Sequence, residues 1–203
     1  MARTRDRQAA RPRGRVEVEA AILASARALI AERGPAGVAL RDIADAAGVN
    51  FGLVYHYFGT KDELLNAVYT HATEQAASRL RELEHLDDAL DVLMRLGDGT
   101  TARLVAWAAL DGKGPAELFG VSPALTVLAG LVQRDAAARG SRVTADEARV
   151  FAAFAMVVAL GWRLFGPLAL GVAGAKSDDP QRYAAHVRGF VQQLAGAPLC
   201  PSG

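Results

Sequence analysis

The sequence predicts an all-α fold with a small helical head and a larger helical body, and three observations carry that reading. Apolar residues make up 51% of the 203 positions and aromatics only 6%, an alanine-rich composition that favours helix bundles over sheet. Apolar side chains recur at three- and four-residue spacing along most segments between Gly and Pro breaks. Residues 39–58, ALRDIADAAGVNFGLVYHYF, read as two short helices around one tight turn. The rest of the chain is organised around that stretch.

Residues 1–15 come first and carry six arginines, Arg3, Arg5, Arg7, Arg11, Arg13 and Arg15, against Asp6. With Pro12 and Gly14 among them, they are expected to form a disordered basic arm that waits for an anionic surface. Through residue 60 the chain holds nine basic and six acidic residues, net +3, whereas the remaining 143 residues come to −2. The overall charge of +1 conceals that division.

A first helix is predicted over 16–33, with Ile22, Ala26, Leu29 and Ile30 as its apolar stripe and Gly34–Pro35 as its stop. The second, 40–47, sets Leu40, Ile43, Ala44 and Ala47 on one face, and Gly48 tolerates the positive φ of the turn. Val38 and Ala39, just ahead of it, cannot cap, which predicts a weak start. The third, 50–57, is expected to carry Val54, Tyr55 and Phe58 on its buried side. Such a pair is a helix-turn-helix, whose second helix faces outward and fits a DNA major groove. The same pattern also occurs in plain helical packing with no nucleic acid.

Thr60 and Glu63 form a capping box ahead of a long fourth helix, 61–86, with Leu64, Leu65, Val68, Tyr69, Leu80 and Leu83 inward. Residues 87–113 are helical and divided near Gly97 and Gly99. DGKGPAELFGVSP follows as a loop or pair of turns; its Lys113 lacks Walker spacing and a following Ser or Thr. A helix is predicted over 123–139, then another over 145–165 behind a Thr144–Glu147 capping box. The latter is apolar on more than one face, so it must be covered on several sides. Its apolar run is too short and too interrupted for a membrane span. GPLALGVAG reads as a connection, and a last helix covers 180–195.

The run IADAAGVNFGLVYHYFGTKDELLNAV, residues 43–68, resembles the DNA-binding signature of TetR-family transcriptional regulators, and the likeness extends over about 17–70. The other two-thirds resembles the family only in length and helical character. The resemblance implies a basic arm at 1–15 and a helix-turn-helix domain at 16–60. It implies a helical ligand-binding and dimerisation domain at 61–196 and a flexible tail at 197–203. Tyr55 and His56 resemble the family pair that meets phosphate and base edges, and Lys61 resembles the lysine that clamps the backbone. Where the family usually has a capping hydroxyl this chain has Val38 and Ala39, so Arg41 and backbone amides are expected at the phosphates instead. Asn50 is placed either to cap or to meet a base, and Gly52 allows close approach. Phe51 either meets sugars and thymine methyls or packs against the first helix.

The resemblance further implies a homodimer on a palindromic operator, released when a small effector binds the larger domain. Dimer contacts are expected from Val150, Val157 and Leu164, and from Tyr183, Val187, Phe190, Val191 and Leu194 on the last helix. Candidate effector contacts are Leu104, Trp107, Leu118 and Phe119, with Leu128, Phe154, Val158 and Trp162. Scarce charge in the helical interiors favours an apolar or neutral effector. The alternative is a constitutive DNA-binding protein or activator without an effector.

Other classes find little support. Cys200 is the sole cysteine, and His56, His71, His85 and His186 show no zinc spacing, so no metal or cofactor is expected. No clustered base and nucleophile suggests an enzyme. No secretory apolar core follows the basic N-terminus, and a cytoplasmic protein with no membrane partner is expected.

Overall fold

A computed structural model describes residues 12, 14–95, 99–110, 120–175 and 180–196. Among the described residues the chain is wholly helical: α1 (Arg15–Arg33), α2 (Leu40–Ala47), α3 (Phe51–Phe58), α4 (Lys61–Arg81), α5 (Leu86–Arg95), α6 (Thr100–Leu110), α7 (Pro123–Ala138), α8 (Ala145–Val172) and α9 (Pro180–Gly196). Two compact units divide inside α4, the first ending at Val68 and the second starting at Tyr69.

In the first unit α1 packs on α2 and α2 on α3. Ile22, Ala26 and Ile30 from α1 are buried with Ile43 and Ala44 from α2, Val54 from α3, and Leu64, Leu65 and Val68 from the start of α4. Burial of this set supplies most of what holds α2 and α3, eight residues each and too short to persist alone. The breaks are local chemistry. Gly48 sits at φ 67°, and the Val49 N–H then reaches back to the Ala44 carbonyl at 3.0 Å, closing the end of α2. At Gly37 a Cβ would lie 2.6 Å from the Arg33 carbonyl oxygen, so only glycine fits that tight linker.

The weak start expected for α2 is compensated from inside the helix. Asp42 accepts a hydrogen bond from the Ala39 N–H at 2.8 Å, the reciprocal half of a capping box that needs no hydroxyl at the cap.

The second unit is a layered bundle. Leu80 from α4, Leu86, Ala89 and Leu90 from α5, Leu128, Leu131 and Val132 from α7, and Phe151, Ala152 and Ala155 from α8 form one buried cluster. The Tyr69 hydroxyl donates to the Leu104 carbonyl at 3.3 Å and ties α4 to α6. Helices α5 and α9 are joined by polar pairs one turn apart: Arg188 with Asp91, and Gln192 with Asp87 at 2.8 Å.

Two boundaries depart from the sequence reading. The fourth helix stops at Arg81, and Leu86 opens α5 instead of ending α4. Glu82 and Glu84 are disfavoured at a helix C-terminus, whereas Asp87 and Asp88 suit the first turn of a new helix. Helix α8 continues through Gly166 and Pro167 to Val172, where a connection was expected. Gly166 is buried beneath Trp162, whose ring atoms would lie 3.0–3.2 Å from a Cβ there. The extended α8 has 28 residues and a mean hydropathy of 1.7 in its most apolar window, long and apolar enough by composition to cross a bilayer.

Candidate nucleic-acid interface

Helix α3 is set at its start by Asn50, whose Oδ1 accepts from the Gly52 N–H at 2.8 Å. The side-chain carbonyl is thereby committed to capping. A Cβ at position 52 would sit 3.3 Å from that same oxygen, which gives Gly52 a structural reason beside any approach to DNA. Val54 is fully buried and anchors the helix, and Phe58 is half-buried behind it.

The opposite face is free of acids and exposes Phe51 at 41%, His56, and Tyr55 at 62%, the last against the inward placement its spacing suggested. The Phe51 ring lies beneath Arg41 of α2, with the guanidinium carbon 5.7 Å from the ring centroid. That stack brings together two residues that lie ten positions apart in sequence. His56 meets Tyr57 edge-on at 5.1 Å, and the Arg15 guanidinium lies 5.9 Å from the Tyr57 centroid. Arg15 is also paired to Glu19 at 2.7 Å, and that hydrogen bond raises its pKa further, so it stays a cation.

At the start of α4 the Thr60–Glu63 box closes as expected: Glu63 Oε2 accepts from the Thr60 N–H at 2.7 Å and from the Thr60 hydroxyl at 2.8 Å. Those bonds hold the Glu63 carboxyl below its ordinary range. Lys61 sits beside it, half-buried, and no salt bridge joins it among the described residues. The face thus offers a guanidinium, an ammonium, a phenol and an imidazole on a rigid scaffold. These groups suit phosphate oxygens and base edges.

In the second unit, a cavity of about 420 Å³ opens between α5, α8 and α9. Its charged lining is Asp91, Arg95, Arg163 and Arg188, and Met94, Trp162, Pro167 and Leu170 supply apolar wall. Of the residues named from sequence as effector contacts, Trp162 lines it. Leu104 and Leu128 are fully buried core, Trp107 and Phe154 are exposed at 38% and 41%, and Val158 packs at the core's edge. Leu118 and Phe119 lie outside the described residues. Nothing local in sequence marked the arginines, because each belongs to a different helix.

The dimer candidates separate in the same way. Val150, Val157, Phe190 and Leu194 are exposed, whereas Leu164, Tyr183 and Val187 are half-buried. Val191 departs from the expectation: it is 3% exposed and belongs to its own chain's core, because α9 turns that side toward the bundle.

A tri-helical head with a cap-anchored, cation-rimmed third helix defines a helix-turn-helix DNA-binding protein. Comparison with known proteins narrows the class. Residues 22–68 match the family described as bacterial regulatory proteins, tetR family. The chain is 39% identical to the HTH-type transcriptional repressor Rv3405c of Mycobacterium tuberculosis over 164 residues, 80% of this chain and 81% of that one. Among solved structures it is similar to Salmonella enterica GusR, with a TM-score of 0.66 at 20% identity over 91% of this chain and 98% of that one. A Rhodococcus transcriptional regulator gives 0.66 at 22% identity, over 90% and 99%. The chain belongs to the TetR family, whose members are non-catalytic DNA-binding regulators that generally respond to ligands.

Proposed function

We propose that the protein is a homodimeric, ligand-responsive repressor that binds a palindromic operator and leaves it when a small effector occupies the larger unit. The observation that carries the reading is the α3 face: Phe51, Tyr55 and His56 exposed beside Arg41 and Lys61, with no acid among the α3 residues. Tyr55 and His56 meet phosphate and base edges, Lys61 and Arg41 hold the backbone, and Asn50 and Gly52 set the helix start so that it can enter the groove.

One recognition helix reads too few base pairs to be selective in a genome, and pairing two heads roughly 34–36 Å apart doubles the site. The surface of the second unit supports pairing. Val150, Val157, Phe165, Leu168 and Val172 are 61–82% exposed along α8, and Phe190 and Leu194 are 63% and 47% exposed on α9. These positions follow helical spacing, and such a stripe needs a cover. A second copy covers it better than lipid does, since Arg163 lies inside α8, where a bilayer would have to accommodate its charge. The protein accordingly works in the cytoplasm. Its relative's printed name, transcriptional repressor, supports the sign of regulation.

The test is binding of the purified chain to its own upstream DNA against scrambled DNA at fixed salt. A preference of about a thousandfold or more, two chains per site, and its loss in Tyr55→Ala and Lys61→Ala are expected. Equal, steeply salt-dependent binding to both DNAs would point to a non-specific binder or to an operator elsewhere, and a random-sequence selection that yields no preferred site would then refute sequence-specific regulation.

A further inference from the structure

The α5–α8–α9 cavity is unusual in its charge. Arg95, Arg163 and Arg188 face a single lining carboxylate, Asp91. Both oxygens of that carboxylate are already engaged, Oδ1 by Arg188 and Oδ2 by Arg95 at 3.4 Å. Arg163 is held by a neutral acceptor, donating to the Arg95 carbonyl at 3.2 Å. Guanidinium groups remain charged at any physiological pH, so the lining carries two positive charges beyond what Asp91 offsets.

A second observation is the apolar wall beside the arginines, supplied by Met94, Trp162, Pro167 and Leu170. An anion alone would leave that wall empty, and an apolar molecule alone would leave the arginines uncompensated.

We propose that this cavity binds a small amphipathic organic carboxylate, its anion held by Arg188 and Arg163 and its apolar body laid against Trp162. A carboxylate matches the guanidinium fork with two parallel hydrogen bonds, and a cavity of about 420 Å³ suits an aryl or medium-chain acid. This departs from the neutral effector that the uncharged helix interiors suggested, because the charge here is gathered from three helices. The assignment rests on the ligand-responsive reading only for its regulatory consequence; binding itself does not depend on it.

The experiment uses full-length Trp107→Phe protein, which leaves Trp162 as the one indole, titrated with octanoate, 3-phenylpropanoate, their amides, and inorganic phosphate. Saturable fluorescence change with an acid, and binding of its amide weaker by roughly tenfold or more, is expected. Arg188→Gln should weaken the acid by a similar factor and leave the amide unchanged. Should that variant not fold, Arg163→Gln, whose observed tie is to a carbonyl, carries the same expectation. Equal binding of acid and amide, no binding by either acid, equal binding of phosphate, or affinity unchanged in both variants that fold would overturn the proposal. Adding the acid to the protein–DNA complex separates the two readings. Acid bound without DNA release leaves the cavity assignment standing and refutes the acid as effector. Acid-driven release that survives Arg188→Gln refutes the cavity and leaves a ligand-responsive repressor.

Discussion

The Arg41–Phe51 stack makes a quantitative demand on the DNA-binding head. The guanidinium carbon lies 5.7 Å from the ring centroid, inside the roughly 6 Å within which a cation feels the ring's negative face. Both side chains are exposed, so the interaction belongs at the screened end of its range, about 0.5–1 kcal/mol. If the stack serves to hold Arg41 ready for a phosphate, that energy reappears as coupling in DNA affinity. Arg41→Ala, Phe51→Ala and the double variant then form a cycle. The double variant should bind about two- to fivefold more tightly than the product of the single losses requires. Phe51→Leu keeps an apolar group and removes the ring face, so it should behave as Phe51→Ala does in the cycle. Affinities measured by fluorescence anisotropy at several salt concentrations add an internal check. Loss of one phosphate contact at Arg41 lowers the salt slope by about 0.9, whereas Phe51 substitutions should leave the slope nearly intact. Strictly additive losses, or a slope unchanged in Arg41→Ala, would refute the stack as a positioning device and Arg41 as a phosphate contact.

Other outcomes follow from the same contacts. Glu63 and Glu147 both accept capping hydrogen bonds that hold their carboxyls below the ordinary value of 4.5. Their stabilisation is therefore complete above that value and is lost as pH falls through the depressed folded one. Thermal melts of wild type and Glu63→Gln should differ at pH 7 and converge in acid; a gap that widens in acid would contradict the capping role. Val157→Asp, on the 62% exposed position of α8, should convert the dimer to monomer by light scattering with helicity unchanged. Leu128→Ala, at a fully buried core position, should cost about 2–5 kcal/mol in denaturant unfolding, and a loss under 1 kcal/mol would contradict its close packing in the core.

What could be read ahead of the structure was local. Gly48, Asn50 and the Thr60–Glu63 pair act within four residues of themselves, and each appears where its chemistry demanded. Asp42 is equally local but acts in reverse, supporting a cap position that has no polar group of its own. Gly166–Pro167 has the composition of a breaker, and α8 nonetheless runs through it. Pro167 removes a donor, yet a helix packed through Trp162 and flanked by apolar residues tolerates that loss. The Arg41–Phe51 stack and the arginine-rich cavity depend on how separate helices are set against one another, and periodicity within one helix carries no record of that.

Trp162 resting on Gly166 has a consequence for how this cavity can vary. The indole lies so close over the glycine that a single methyl at 166 would lift it. The aromatic wall is therefore set at a fixed height by an absent side chain. Related chains that place alanine or serine at the equivalent of 166 should carry a smaller ring or an aliphatic group at the equivalent of 162. Ligand size across such relatives would then track a pair of positions one helical turn apart, with the arginines left to choose charge.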